Sequence, residues 1–214
     1  FKAPKFAHIA PIMKNDNGNK RKLSKRKDPE AAVEYYKKEG SPSEAVKEYL
    51  MNIANSTFEN WRRANPDKSM DEFQLQLNKM SVSGALFDMV KLLDVSKTVI
   101  SKMSAEEVYE NALNWASKYD QELAEILKDK EYALKVFGIE RGNKKPRKDI
   151  SKWSDVKENV EYMYNELFDK NEEEYPFQVI NDKESIEKIL KLYVEKYYDE
   201  HDDKQTWFDK IKEL

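Results

Sequence analysis

Apolar residues recur at helical spacing along most of this chain. Val46, Tyr49, Leu50 and Ile53 fall at i, i+3, i+4 and i+7, which predicts one buried face of an amphipathic helix. A shorter apolar segment, Leu86, Met89, Val90 and Leu93, follows it. From Ser104 onward the period is helical: Val108, Ala112, Trp115, Ala116 and Tyr119 form one stripe. Trp153, Val156, Val160, Met163, Tyr164 and Leu167 form a second, and Ile186, Ile189, Leu190, Tyr193, Val194 and Tyr197 a third. Trp207, Phe208 and Ile211 begin a fourth. Stripes of this kind are the packing faces of a helical bundle.

The beginning of the chain breaks the pattern. Phe6 to Met13 is too short and too marked by Pro11 for a helix, and it predicts an extended strand. The cluster Asn15-Asp16-Asn17-Gly18-Asn19 predicts a turn, because an Asn-Gly pair tolerates positive φ. Helix punctuation follows. Asp28 before Pro29 predicts a capping carboxylate and a proline at the first helical position, and Gly40 ends that helix. Ser41-Pro42-Ser43-Glu44, Ser69 to Glu72 and Ser104 to Glu107 each carry the capping-box signature. Gly138 to Asp149 interrupts the helical pattern with a glycine- and proline-broken loop. The expected fold is mainly α: a short amino-terminal strand and loop, then helices.

Composition agrees and narrows the chemistry. Five glycines in 214 residues, with much Lys, Glu, Leu and Ala, favour helix over sheet. The absence of cysteine excludes disulfides and thiolate metal sites, and the isolated His8 and His201 make no multi-histidine site, so no structural metal is expected. No apolar run is long enough to span a bilayer and no signal peptide is visible; a cytoplasmic location without membrane attachment is expected. The chain starts at Phe1 rather than Met and stops at Leu214 in mid-pattern, so a fragment is expected.

Charge is unevenly placed. Residues 1 to 27 hold Lys2, Lys5, Lys14, Lys20, Arg21, Lys22, Lys25, Arg26 and Lys27 against Asp16 alone, although the whole chain carries −3. Such a concentration on an otherwise acidic protein implies a local anionic partner, or else a plain basic arm. Within it, Lys22-Leu23-Ser24-Lys25-Arg26 sits on a loop after a glycine turn and before a capped helix, where mobile cations and a helix amino terminus suit phosphate groups. Arg141, Lys144, Lys145, Arg147 and Lys148 make a second basic cluster, in the loop from Gly138 to Asp149.

The order of residues goes further than charge. Lys22-Leu23-Ser24-Lys25-Arg26 resembles the second signature of class I aminoacyl-tRNA synthetases, in the KLSKR form that glutamyl-tRNA synthetases favour. Phe6 to Ile12 resembles the strand before that signature, and Gly18 the turn glycine. Pro42 to Leu50 is similar to the family's proline-glutamate-alanine helix. Ser83 to Leu92 resembles its Phe-Asp…Lys-Leu segment in the stem-contact domain, and Met103 to Val108 the opening of its helical anticodon-binding domain. The resemblance is strongest in residues 6–50 and 82–108 and weakest after about 170. Three features depart from the family: Lys27-Asp28 replaces an Asp-Gly type pair, Asn19-Lys20-Arg21 enlarges the loop, and Leu93-Asp94-Val95 stands where Trp-Leu-Asn is usual.

The resemblance implies two regions: residues 1–102 as the end of the catalytic core plus the stem-contact domain, and 103–214 as the anticodon-binding domain. It implies a ligase that activates glutamate with ATP and its Mg2+ and transfers it to tRNA-Glu, with tRNA-Gln as a further candidate. Lys25 would be catalytic, closing onto charge that develops on the departing pyrophosphate, while Lys22, Ser24 and Arg26 join it in binding ATP. For Ser24, a turn-stabilising hydroxyl is the equal alternative. The cluster at residues 141–148 would neutralise tRNA phosphates, against the alternative of a solvated surface loop. The family's His-x-Gly-His signature is absent, so this stretch is expected to be inactive alone. A glutaminyl-tRNA synthetase and a non-catalytic RNA-binding helical module remain alternatives.

Overall fold

The Asn-Gly turn closes a two-stranded antiparallel hairpin. β1 (Met13–Asp16) pairs with β2 (Asn19–Lys22) in the register Met13–Lys22, Lys14–Arg21, Asn15–Lys20 and Asp16–Asn19. Asn17 and Gly18 both have positive φ, 52° and 87°, as the tight hairpin turns that suit strand twist require. The structure is a computed structural model describing residues 3, 4, 6, 8–168 and 182–214. Lys2, Lys5 and Ala7, counted above in the basic segment and the strand, lie outside the described residues.

The strand expected over Phe6 to Met13 begins only at Met13. Pro11 has no N–H to donate, so no ladder extends back through it. Met13 instead joins the chain at Leu86 in an isolated parallel bridge: its amide donates to the Ala85 carbonyl at 2.8 Å, and the Phe87 amide donates to its carbonyl at 2.7 Å. The hairpin is thereby tied to the helical body behind it.

That body is helical, as expected. α1 (Val33–Glu39) ends at Gly40, which adopts φ 80°, and α2 (Ser43–Ala54), α3 (Phe58–Ala64) and α4 (Met89–Ser101) follow. α5 (Ala105–Tyr119), α6 (Gln121–Ile126), α7 (Lys130–Gly138) and the short α8 (Val156–Val160) complete the first of two compact units, Phe1–Phe168. The core runs from Ile100 of α4 through Val108, Ala112 and Ala116 of α5 to Leu123, Leu127, Phe137, Trp153 and Val156. Beside the hairpin, Tyr49 and Leu92 are buried; the Tyr49 ring meets Phe87 edge-on at 5.5 Å, and its hydroxyl accepts from the Asp88 amide at 2.6 Å.

Several local expectations change. The capping boxes at Ser69 and Ser104 form, but Ser43 bonds Glu44, and Pro42 takes the cap position of α2 with no side-chain cap. Proline pre-sets that position conformationally and leaves Ser43 inside the helix. The buried faces of α2 and α4 are rotated from the apolar pattern: Ala45 and Tyr49 are buried while Leu50 is exposed, and Leu92, Ser96 and Ile100 are buried while Val90 is exposed. Asp120 and Asp129 each accept from a backbone amide of the following turn, and the long helical stretch is divided there into α5, α6 and α7. Trp153, Val156, Val160 and Tyr164 of the second stripe are buried as expected, with Met163 and Leu167 half-buried, yet on α8 and its flanking turns rather than on one helix.

The second unit, Asp169–Leu214, holds α9 (Lys183–Leu192), a π-helical turn over Tyr193–Tyr197 and α10 (Lys204–Glu213). Its stripes are not core: Ile189, Leu190, Val194, Trp207 and Phe208 are all exposed. Among all described residues, no helix is long and apolar enough to cross a membrane.

Candidate phosphate-facing loop and basic surface

Lys22 is the last residue of β2, and Leu23 continues the line by donating its amide to the Ile12 carbonyl at 2.9 Å. Ser24 to Asp28 then form a turn closed from both ends. The Ser24 carbonyl accepts from the amides of Lys27 at 3.0 Å and Asp28 at 2.8 Å, and the Ser24 amide donates to Asp28 Oδ2 at 2.9 Å. Ser24 thus shapes the loop through its backbone.

Asp28 is the hub. Its side chain is 1% exposed and accepts a two-pronged contact from Arg21, Nη1 to Oδ2 at 2.6 Å and Nη2 to Oδ1 at 2.7 Å. Lys14 Nζ stands 3.1 Å from Oδ1 and also pairs with Glu30, while Arg21 Nε reaches Asp16 at 2.6 Å. The Arg21 guanidinium, the Ser24 amide and Lys14 hold the Asp28 carboxyl well below the usual carboxylate range, outweighing burial, which acts in the opposite direction.

Two expectations are corrected here. Asp28 makes no cap bond; its carboxylate turns back into the hairpin, and the segment after it is a three-residue 3-10 turn, Pro29–Ala31. A single such turn has no macrodipole to offer a phosphate. The loop is also anchored at its base by the hydrogen bonds just described. Of the cations read as one basic segment, Lys14 and Arg21 are neutralised internally. Lys22, Lys25, Arg26 and Lys27 are exposed and make no ion pair among the described residues.

The second cluster divides in the same way. Arg141 is half-buried: Nε donates to the Phe137 carbonyl at 2.9 Å, and Nη1 to those of Ile100 at 2.8 Å and Met103 at 3.1 Å. Burial pushes its guanidinium below the ordinary arginine value. Arg147 pairs with Asp149 at 2.6 Å, and Lys148 Nζ donates to Thr98 Oγ1 at 3.1 Å. Lys144 and Lys145 are exposed and unpaired among the described residues. No hydrogen bond or ion pair joins this loop to the KLSKR turn among the described residues.

The chain is 51% identical over 216 residues to the glutamate–tRNA ligase of Clostridium perfringens (strain 13 / Type A), an alignment covering 99% of this chain. It is homologous, end to end, to part of the glutamate–tRNA ligases. The ligase of Acetivibrio thermocellus is 49% identical over 98% of the chain, and that of Sorangium cellulosum 43% identical over 100%. The chain spans about 39% of the Clostridium ligase, 38% of the Acetivibrio ligase and 40% of the Sorangium ligase. No family model matches the chain. Ligase homology therefore extends through the residues after 170, where sequence motifs alone carry the weakest resemblance.

Sequence reasoning missed Asp28, Arg21 and Lys14 as a unit of this ligase-homologous loop. Arg21 and Lys14 face each other across the hairpin register, and Asp28 reaches both only after the chain turns. The Asn17-Gly18 pair was the one local signal for that hairpin.

Proposed function

We propose that the chain is the part of a glutamate–tRNA ligase that presents the KLSKR loop to ATP and lies along tRNA. The observation that carries this reading is the separation of charges around Asp28. Arg21 and Lys14 are neutralised, while Lys22, Lys25 and Arg26 remain exposed on a closed turn. In the proposed reaction glutamate attacks the α-phosphate of ATP and pyrophosphate departs, after which the glutamyl group passes to the tRNA terminus. Lys25 meets the charge that grows on the departing pyrophosphate, and Lys22 and Arg26 hold the phosphates beside it. An ammonium aimed at charge that appears only in the transition state raises rate more than affinity. Mg2+ enters with ATP. Residues 1–102 then serve the catalytic core and the tRNA stem, and residues 103–214 the anticodon side. Lys144, Lys145 and Lys148 are the cations best placed for tRNA phosphates, with Arg141 and Arg147 shaping their loop. The stretch is inactive without the remainder of the ligase.

In the ligase that carries this chain, Lys25→Ala should depress ATP–pyrophosphate exchange far more than tRNA binding. Exchange at the wild-type rate rules the assignment out. Offering glutamate and glutamine separately in the same assay distinguishes a glutamate from a glutamine ligase.

A further inference from the structure

We propose that Asp28 is a positioning residue for the KLSKR loop, acting through Lys25 and making no contact with substrate; this rests on the reading of Lys25 above. Four donors converge on two oxygens. Oδ2 accepts from Arg21 Nη1 and the Ser24 amide, and Oδ1 from Arg21 Nη2, with Lys14 Nζ beside it. Every donor comes from the hairpin or from the first residue of the turn, so one carboxylate binds β1, β2 and the turn into a single body. The turn between Ser24 and Asp28 carries Lys25, Arg26 and Lys27 outward on a five-residue arc with both ends tied. The position of the Lys25 α-carbon relative to β2 is set by this closure.

The chemistry requires a carboxylate at this site. An amide of the same shape has one oxygen and one NH2 group, and that NH2 would face donors from Arg21 and either Lys14 or the Ser24 amide. No rotation of the amide avoids this, because both carboxylate oxygens are already shared. The local charge points the same way. Lys14, Lys20, Arg21, Lys22, Lys25, Arg26 and Lys27 crowd one hairpin and turn, and Asp28 is the buried anion among them. Without that anion Arg21 loses its buried partner and the exposed cations repel the turn open.

Asp28→Asn and Arg21→Met test this in the complete ligase, alone and each with Lys25→Ala, by the kcat and KM of ATP–pyrophosphate exchange and by thermal melting. Misplacing a catalytic group by about 1 Å costs on the order of 100-fold in rate, so each single variant should lower kcat by roughly 10- to 100-fold. KM for glutamate should stay within about twofold. Residues acting through one another are non-additive, so adding Asp28→Asn to Lys25→Ala should lower kcat by less than about twofold further. Multiplying losses in the double variants, or a wild-type kcat in Asp28→Asn, overturns the positioning role while leaving Lys25 in place. Wild-type exchange in Lys25→Ala overturns the functional reading itself and, with it, this proposal. Where Asp28→Asn fails to fold by melting, Arg21→Met, which keeps the anion with Lys14 and the Ser24 amide, decides by the same comparison.

Discussion

Gly40 and Trp153 meet backbone to backbone. The Trp153 amide donates to the Gly40 carbonyl at 2.9 Å, and a β-carbon on Gly40 would stand 2.8 Å from the Trp153 β-carbon. The indole of Trp115, which donates to the Lys38 carbonyl at 3.0 Å, closes the same joint, as does the ion pair between Lys152 and Glu39 at 2.6 Å. The glycine that ends α1 is thus also where the loop-bearing region abuts the helices of residues 105–160.

Gly40→Ala tests this joint. The left-handed backbone costs a non-glycine residue about 1–2 kcal/mol, and forcing a methyl into packed surroundings adds about 1–3 kcal/mol. We expect a total loss of about 2–5 kcal/mol in urea unfolding. A loss under about 1 kcal/mol would show that the joint relaxes freely.

Arg141 and Lys144 should behave as opposites despite their shared loop. Arg141→Met removes donors from three backbone carbonyls at the ends of α4 and α7; that of Ile100 keeps the Met103 amide at 3.1 Å, and leaving a buried carbonyl such as that of Phe137 without a donor costs about 1–3 kcal/mol. It should lower the melting temperature while the salt dependence of the tRNA binding proposed above, measured in the complete ligase, keeps its slope. Lys144→Ala together with Lys145→Ala should leave melting unchanged and flatten the log–log salt slope by about 1 for each phosphate no longer neutralised. The reverse pattern would exchange their roles.

The two serine signatures make a paired control. The Ser104 hydroxyl oxygen accepts from the Glu107 amide at 3.1 Å and the Ser104 amide donates to the Glu107 carboxylate at 2.7 Å, so Ser104→Ala should cost about 1 kcal/mol. Ser43 caps nothing, so Ser43→Ala should stay within about 0.5 kcal/mol of wild type. Equal losses in chemical denaturation contradict the cap assignment.

Acid and alkali should act on different parts of the molecule. The Asp28 carboxyl is held well below its ordinary value, so its contribution is complete above the unfolded carboxylate value near pH 4. That contribution is lost as pH falls through the depressed folded value. Protection of the Ser24 amide from exchange should therefore survive at pH 4 and fail only in stronger acid. Burial pushes the Tyr164 hydroxyl up to about 12 and raises that of Tyr49 as well. Raised groups contribute below the unfolded tyrosine value near 10, and the contribution fades as pH climbs toward the folded one. Ultraviolet titration should find tyrosines that ionise late and together with alkaline unfolding; uniform ionisation near pH 10 excludes this.

Much of this protein is determined locally, and that much was legible in the sequence. The Asn17-Gly18 turn, the stop at Gly40, the caps at Ser69 and Ser104 and the buried stripe through Val108, Ala112 and Ala116 depend on neighbours within a turn or two. The KLSKR segment is legible for the same reason, being five consecutive residues. Which cations on that loop are free was decided by tertiary structure alone. Arg21 and Lys25 are indistinguishable as charges in a sequence, and only the hairpin register and the turn at Ser24 bring Asp28 onto one and away from the other. Arg141 is the same case over a longer span, a basic loop residue until α4 and α7 bring three carbonyls to it. Even the phase of α2, with Tyr49 buried and Leu50 exposed, follows from what packs beside it. Periodicity identifies a face to within a residue, whereas partners distant in sequence decide which side chain on it is enclosed and which charge is left to meet a ligand.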